Sequence, residues 1–313
     1  MRRVLLVRLA ELVTLLILIS TVLFFLLRLG GDPATMLAGE NADPEVVAQI
    51  RAHYGLDSPL PVQYLTFIGN VLVLNFGDSL SNGRPAIGLV FERLGPTLSL
   101  AGAAIAIDLV AATTVGTWLG ARPRAAGRRA VNAVVFIAQG IPAYITGLVL
   151  IEVFAVRLRL LPSIGADGPT SWILPALTLA AFLAPQLTRV VAAGVGEAMR
   201  EDYVRTARAN GAGGLALLIR HVLPNALLGT VAVIGTQFAY LISGALLTEV
   251  IFGWPGLGRL LVDSVTRLDF PVVQASVFVV AVGVFGVNTV LDLAFRLIDP
   301  RVRATEAGRA ARP

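Results

Sequence analysis

Acidic side chains embedded in long apolar stretches are the residues of this sequence most suggestive of chemistry, and Asp108, Glu152 and Asp292 are of that kind. A carboxyl group facing hydrocarbon is costly, so each either lines a polar path, where it meets an amine or a cation, or pairs with a polar group on a neighbouring helix. Asp292 lies near the end of its stretch, which favours pairing. Glu11 and Arg189 are also near stretch ends, where long side chains snorkel. Other chemistries lack their residues. All 25 basic residues are Arg, which removes the lysine of a phosphate-binding loop, of a Schiff base and of a kinase strand. With no Cys there is no disulfide, no thiolate metal site and no cysteine nucleophile. His53 and His221 are too few for a multi-histidine metal site, and neither sits at the centre of an apolar stretch. No catalytic constellation, metal or cofactor is expected in this chain.

The stretches that carry these acids define the fold class. Apolar residues make up 56% of the chain and mean hydropathy is +0.79, which argues against a soluble domain. Six blocks are long enough to cross a hydrocarbon core, which takes about 17 to 25 residues. They are Leu9 to Leu27, Leu98 to Leu119, Val131 to Val156, Ile173 to Val195, Ala226 to Leu247 and Val272 to Leu293. The first follows Arg2, Arg3 and Arg8 but is longer than a signal-peptide core and lacks a small-x-small cleavage site after it, so it reads as a retained helix. Arg clusters fall before block one, between two and three, between four and five, and after six. These are alternate loops, which predicts cytoplasmic N- and C-termini. That topology accounts for the net charge of +5 without nucleic acid. Gly102, Gly116, Gly283 and Gly286 read as close-contact positions between helices.

Two loops are more than connectors. The one after block one runs about 70 residues, too long to lack structure of its own. Asp43 as N-cap, Pro44 at the first helical position, Glu45 in the first turn and Gly55 after Tyr54 predict a short helix there. Val62 to Leu74 reads as a further helix lying at the membrane interface rather than as a seventh crossing. In the cytoplasmic loop after block four, Glu197 to Gly211 has acids early and Arg late, which suits a helix ended by a left-handed Gly211. A second short helix, Leu215 to Val222, is expected to stop at Leu223-Pro224. From composition alone this loop reads equally well as a solvated helical hairpin.

Its spacing carries a resemblance. Gly211, nine residues, then His221-Val222-Leu223-Pro224, preceded by Arg205-Thr206-Ala207, resembles the EAA loop of ATP-binding-cassette importer permeases, Glu-Ala-Ala-x3-Gly-x9-Ile-x-Leu-Pro. Ala207, Gly211, Leu223 and Pro224 match that pattern. Arg205, Thr206 and His221 depart from it, yet Asp202 to Gly211 is similar to the version in dipeptide, oligopeptide and nickel permeases. Glu249 to Leu261, with Gly253-Trp254-Pro255-Gly256, and Asp269-Phe270-Pro271-Val272-Val273-Gln274 are similar to the segment after the fifth helix of those permeases. Gly31-Asp32-Pro33, Gly55 to Leu60, Asn288, Asp292 and Asp299-Pro300-Arg301 follow the same habit, so the resemblance spans nearly the whole chain.

The resemblance implies an all-α membrane protein with the type I importer permease fold: six transmembrane helices, an extracytoplasmic region after the first and a coupling-helix loop between the fourth and fifth. On that reading 1–93 is the first helix with its cap, 94–297 the five-helix core with the coupling loop 197–224, and 298–313 a cytoplasmic tail. It implies a non-catalytic subunit of the bacterial inner membrane that forms half of a peptide pathway. Its partners would be a second, different permease chain, two ATPase subunits or domains that bind ATP and Mg, and an extracytoplasmic binding protein. Glu201, Asp202, Tyr203, Val204, Arg205, Thr206, Ala207, Arg208, Ala209 and Gly211, with Leu223 and Pro224, would form the ATPase-coupling element. Phe252, Trp254, Pro255 and Gly256 would gate the pathway or contact the binding protein, unless they only pack. Asp108 and Glu152 are the pathway candidates. An ion-coupled secondary transporter is the rival reading, but no repeat of two related halves is evident.

Overall fold

The computed structural model describes residues 2–298 apart from 30, 31, 39–41, 54 and 228. In chain order its helices are α1 (Arg2–Leu29), α2 (Pro33–Ala38), α3 (Pro44–His53), α4 (Leu60–Leu72), α5 (Ala86–Ala121), α6 (Arg128–Gln139), α7 (Ala143–Leu150), α8 (Ile173–Ala198), α9 (Asp202–Ala209), α10 (Gly214–Leu217), α11 (Leu223–Ala226), α12 (Thr230–Gly244), α13 (Leu246–Ile251), α14 (Leu257–Thr266) and α15 (Phe270–Ile298). Helical π turns follow α7 at Ile151–Arg157 and α10 at Leu218–Val222. Among the described residues the one β-type pairing is an isolated bridge between Asp78 and Pro85. Gly31, the side chain of Asp292 and the Asp299-Pro300-Arg301 motif lie outside the described residues.

Four helices, α1, α5, α8 and α15, are long and apolar enough to cross a membrane. The third expected crossing departs from a single straight span, because α6 and α7 meet at a bend of 108°. Pro142 has no N–H to donate and disfavours helical geometry at Ile141. The α6 end therefore closes with Gly140 donating to the Ile137 carbonyl at 2.9 Å, and α7 starts afresh from Pro142. Block five becomes α12, whose 15 residues span about 22 Å, continued by α13.

The chain divides into two compact units. One comprises Met1–Pro96 and Gly256–Phe285. Here α4 packs on α1 through Phe24 against Tyr64 and Phe67, and the Thr21 and Tyr64 hydroxyls lie 2.7 Å apart. The short helix expected near Pro44 is α3, and Gly55 takes the left-handed φ of +63° beyond its end. Asp32 accepts from Thr35 at 2.9 Å and Arg51 at 2.6 Å, linking α2 to α3. Slight burial works against the Asp32 carboxylate, but these bonds, the Arg51 charge and the amides of Ala34 and Thr35 hold its pKa below the ordinary value. The core is Val71, Phe76, Val90, Leu257, Val272 and Phe278. Buried Asp269 fastens the 75–85 loop to the start of α15, accepting from the Ser79 hydroxyl at 2.5 Å and the amides of Leu80 at 3.1 Å and Ser81 at 3.3 Å.

The second unit comprises Thr97–Pro255 and Gly286–Pro313. In it α5 and α8 approach closely through glycines. A methyl group at Gly116 would stand 2.7 Å from Val191 Cβ, and one at Gly120 would stand 2.6 Å from the Ala192 carbonyl oxygen. Of the glycines expected at helix contacts, Gly116 is thus one, whereas a Cβ at Gly102 or Gly286 meets nothing within 4 Å. Gly120, four residues on and therefore on the same helix face, is the partner that the sequence reading left out.

Replacing Asp269 with Asn turns an amide group toward the Leu80 or Ser81 donors and removes the charge that they bond. The expected cost is about 2 kcal/mol, read as a lower thermal midpoint in detergent; an unchanged midpoint would deny Asp269 this anchoring role.

Candidate functional site

The cytoplasmic loop expected after α8 builds a short helix with two distinct faces. Instead of one helix from Glu197 to Gly211, the chain turns sharply at Met199–Glu201, where Glu201 is extended (ψ 149°), and α9 begins at Asp202. Asp202 at the first turn and Arg208 at the last suit the helix dipole. Val204 and Ala207, one turn apart, are buried in a cluster with Val195, Ala198, Leu217 and Val222. Asp202, Tyr203, Arg205, Thr206, Arg208 and Ala209 are exposed, as is Glu201. The Arg205–Asp202 ion pair at 3.4 Å is largely open to solvent, so it adds little stability and leaves both charges accessible.

The end of α9 is fixed by backbone geometry. Gly211 has φ +87° and donates to the Arg208 carbonyl at 3.0 Å, while Ala212 donates to Ala207 at 3.0 Å. This pair of bonds is the Schellman arrangement, which favours glycine at the left-handed position. The second helix does not stop at Leu223-Pro224. A π turn lets the Leu223 amide reach Leu218 O, and Pro224 then enters the first turn of α11, where a missing N–H costs nothing. Leu223 is half-buried and Pro224 exposed.

The other expected site residues fall in different places. Phe252 is buried with its ring 3.1 Å from where a Cβ on Gly147 would lie, and its carbonyl accepts from Gly165 at 2.9 Å. Trp254 is buried among Leu100, Ala104, Leu179 and Leu241, so within this chain it packs as core. Gly256 is buried and Pro255 half-buried. Glu152 pairs with Arg157 at 2.9 Å, both well exposed. Asp108 is fully buried, and neither carboxyl oxygen has a hydrogen-bond partner among the described residues. The sequence reading missed Glu249, which is fully buried and accepts from Thr97 Oγ1 at 2.7 Å. Its signal was its place directly after the fifth apolar block, inside a motif already singled out. Gln237 was missed as well: it is 2% exposed and donates to the Leu183 carbonyl at 3.2 Å.

Long apolar helices, a short helix with one face anchored and one free, and buried polar groups within the bundle define a multi-pass membrane protein. The chain belongs to the family of binding-protein-dependent transport system inner membrane components, whose profile matches residues 112–304; the family's N-terminal profile matches 1–101. Among its relatives, the glutathione transport system permease protein GsiC of Salmonella choleraesuis is 38% identical over 93% of this chain and 95% of that protein. The probable peptide ABC transporter permease protein y4tP of Sinorhizobium fredii is 38% identical over 95% and 97%. In fold the chain is similar to the MetNI methionine ABC transporter in an inward-facing conformation, with a TM-score of 0.58 and 22% identity over 67% of this chain and 96% of that one.

The chain is therefore an inner-membrane permease subunit of an ATP-binding-cassette importer with the type I fold, and ATP hydrolysis resides on a separate partner. A substrate-binding protein and an ATPase are the partners its family works with. This assignment decides against the ion-coupled secondary transporter.

Gly211→Val places a β-branched residue in the left-handed region, at a cost of about 1–2 kcal/mol, and loosens the end of α9. The expected outcome is an assembled transporter whose ATP hydrolysis drives less uptake per turnover. Wild-type coupling in that variant would show that the cap is dispensable.

Proposed function

We propose that the chain forms half of the translocation pathway for short peptides, together with a second, homologous but different permease, and that α9 is the coupling helix. The observation that carries the coupling role is the division of α9 into an anchored face, Val204 and Ala207, and a free charged face. A helix held this way moves as a body with α8 and α11, so a push from an ATPase groove is passed into the membrane rather than absorbed locally. The peptide cargo is supported by relatives named for glutathione and peptide transport at 37–38% identity.

Counting α6–α7 as one bent crossing and α12 as a short one gives six crossings with α1, α5, α8 and α15. An even number keeps both termini on the cytoplasmic side, as the Arg clusters require. The region between α1 and α5 then lies outside, where the binding protein docks. The heterodimer reading follows from this long first loop, which resembles one of the two permease types of such importers.

Purifying the chain from its native membrane and identifying every stoichiometric partner tests the assembly. Recovery of a different permease, the ATPase and a binding protein holding a peptide is expected. A homodimer contradicts the pairing, and a binding protein loaded with another class of ligand contradicts the cargo. Reversing charge with Asp202→Arg should weaken ATPase docking while leaving peptide binding by the binding protein intact. Unchanged docking would remove Asp202 from that interface.

A further inference from the structure

A cleft of about 400 Å³ opens between α6, α8 and α12, wholly within the second unit. Three carboxamides line it, one from each helix: Gln139, Gln186 and Gln237. The Thr236 hydroxyl and the Tyr240 phenol join them, and the Phe182 ring stacks on Tyr240 at 5.3 Å between centroids. Gln139 is 11 residues from the start of α6 and Gln186 is 12 from the end of α8. Both therefore stand about 17 Å from the Arg-rich ends of their helices, near the middle of a hydrocarbon core.

Polar side chains at that depth do not face lipid without penalty. Gln139, Gln186, Thr236 and Tyr240 are nonetheless exposed in this chain, so their face meets water or another molecule. Gln237 completes the floor of the cleft. Its Nε2 is spent on the Leu183 carbonyl, whereas its Oε1 has no partner among the described residues. Asp108 stands beside Gln237 without lining the cleft, so what the cleft presents is carboxamides and not the carboxylate.

We propose that this cleft is the permease's own contact with a peptide in transit, and that Gln139, Gln186 and Gln237 read backbone amides rather than side chains. The inference rests on the peptide cargo proposed above. A carboxamide both donates and accepts, as a peptide bond does, so Gln139 and Gln186, with the Gln237 Oε1 as a further acceptor, fit peptides of any sequence. No charged group among the described residues lines the cleft, so contact stays weak enough for release, as transit requires. The volume lies in the lower range of small-ligand pockets, the size of a few residues.

This chain has no cysteine, so label recovered on it comes from the introduced residue alone. The test uses the full transporter in proteoliposomes with its binding protein, ATP and tri-alanine. Gln186→Cys is expected to react with a membrane-impermeant maleimide, and tri-alanine is expected to slow that reaction; Val110→Cys, on an exposed apolar site of α5, should stay unreacted. Gln139→Leu and Gln186→Leu should each raise the KM of tri-alanine uptake about fivefold, with binding-protein-stimulated ATP hydrolysis retained and Gln186→Asn partly restoring the KM. If Gln186→Cys is unreactive, reacts without protection, or cross-links to the second permease while tri-alanine uptake is normal, this inference is overturned and the peptide reading stands. If the wild-type transporter imports no tri-alanine but imports another class of solute, the peptide reading falls and the inference falls with it.

Discussion

Inside a bilayer a polar group has no water to bond, and the permease is ordered by how it meets that constraint. Most of its buried polar groups are closed locally. Thr178 bonds the Leu174 carbonyl one turn back at 2.8 Å, and Thr97 closes Glu249 at 2.7 Å. With such groups closed, helices can approach through small residues: Gly116 and Gly120 bring α5 against α8, and Gly194 brings α8 against the Ala226 carbonyl. The groups left open among the described residues are Asp108 and the Oε1 of Gln237, which stand beside each other, and the hydroxyls of Thr117 and Ser276. Of these groups Gln237 is the one that lines the cleft between α6, α8 and α12.

The same economy shapes the loop that follows α8. With no lysine for a phosphate loop the chain draws its energy from a partner, and the helix proposed to meet that partner, α9, is eight residues long. Such a helix is too short to be stable by itself. Its order comes from Val204 and Ala207 in the cluster with α8 and the α10–α11 segment, and from the backbone turns at Glu201 and Gly211 that set both ends. Because the anchoring cluster includes Leu187 and Val191 of α8, a force on α9 acts directly on residues deep in a membrane-spanning helix.

Much of this was legible in the sequence, for reasons that can be named. Long apolar runs give α1, α5, α8 and α15, since length against bilayer thickness is a strong signal. Gly211 was legible because a left-handed turn after a charged helix has few alternatives. The bend between α6 and α7 was not, although Gly140 and Pro142 stood there, because an apolar window averages over a single break. The π turn before Pro224 was hidden because it depends on backbone register and not on composition. Attention to ionisable residues found Asp108 but passed over Gln139, Gln186 and Gln237, which carry no charge and whose shared face appears only when three helices are brought together. Trp254, conspicuous in its motif, packs within this chain among Leu100, Ala104, Leu179 and Leu241, which its motif did not reveal.

The central claim is that the free face of α9 is where the ATPase pushes. Its most direct test places a thiol-linked photo-crosslinker at Arg205→Cys in the assembled, transport-competent complex, with Val110→Cys as the membrane-embedded control. The expected result is an adduct between Arg205→Cys and the ATPase subunit whose yield changes when ATP is bound, with none from Val110→Cys. A transporting complex in which Arg205→Cys yields no ATPase adduct in any nucleotide state would contradict the account.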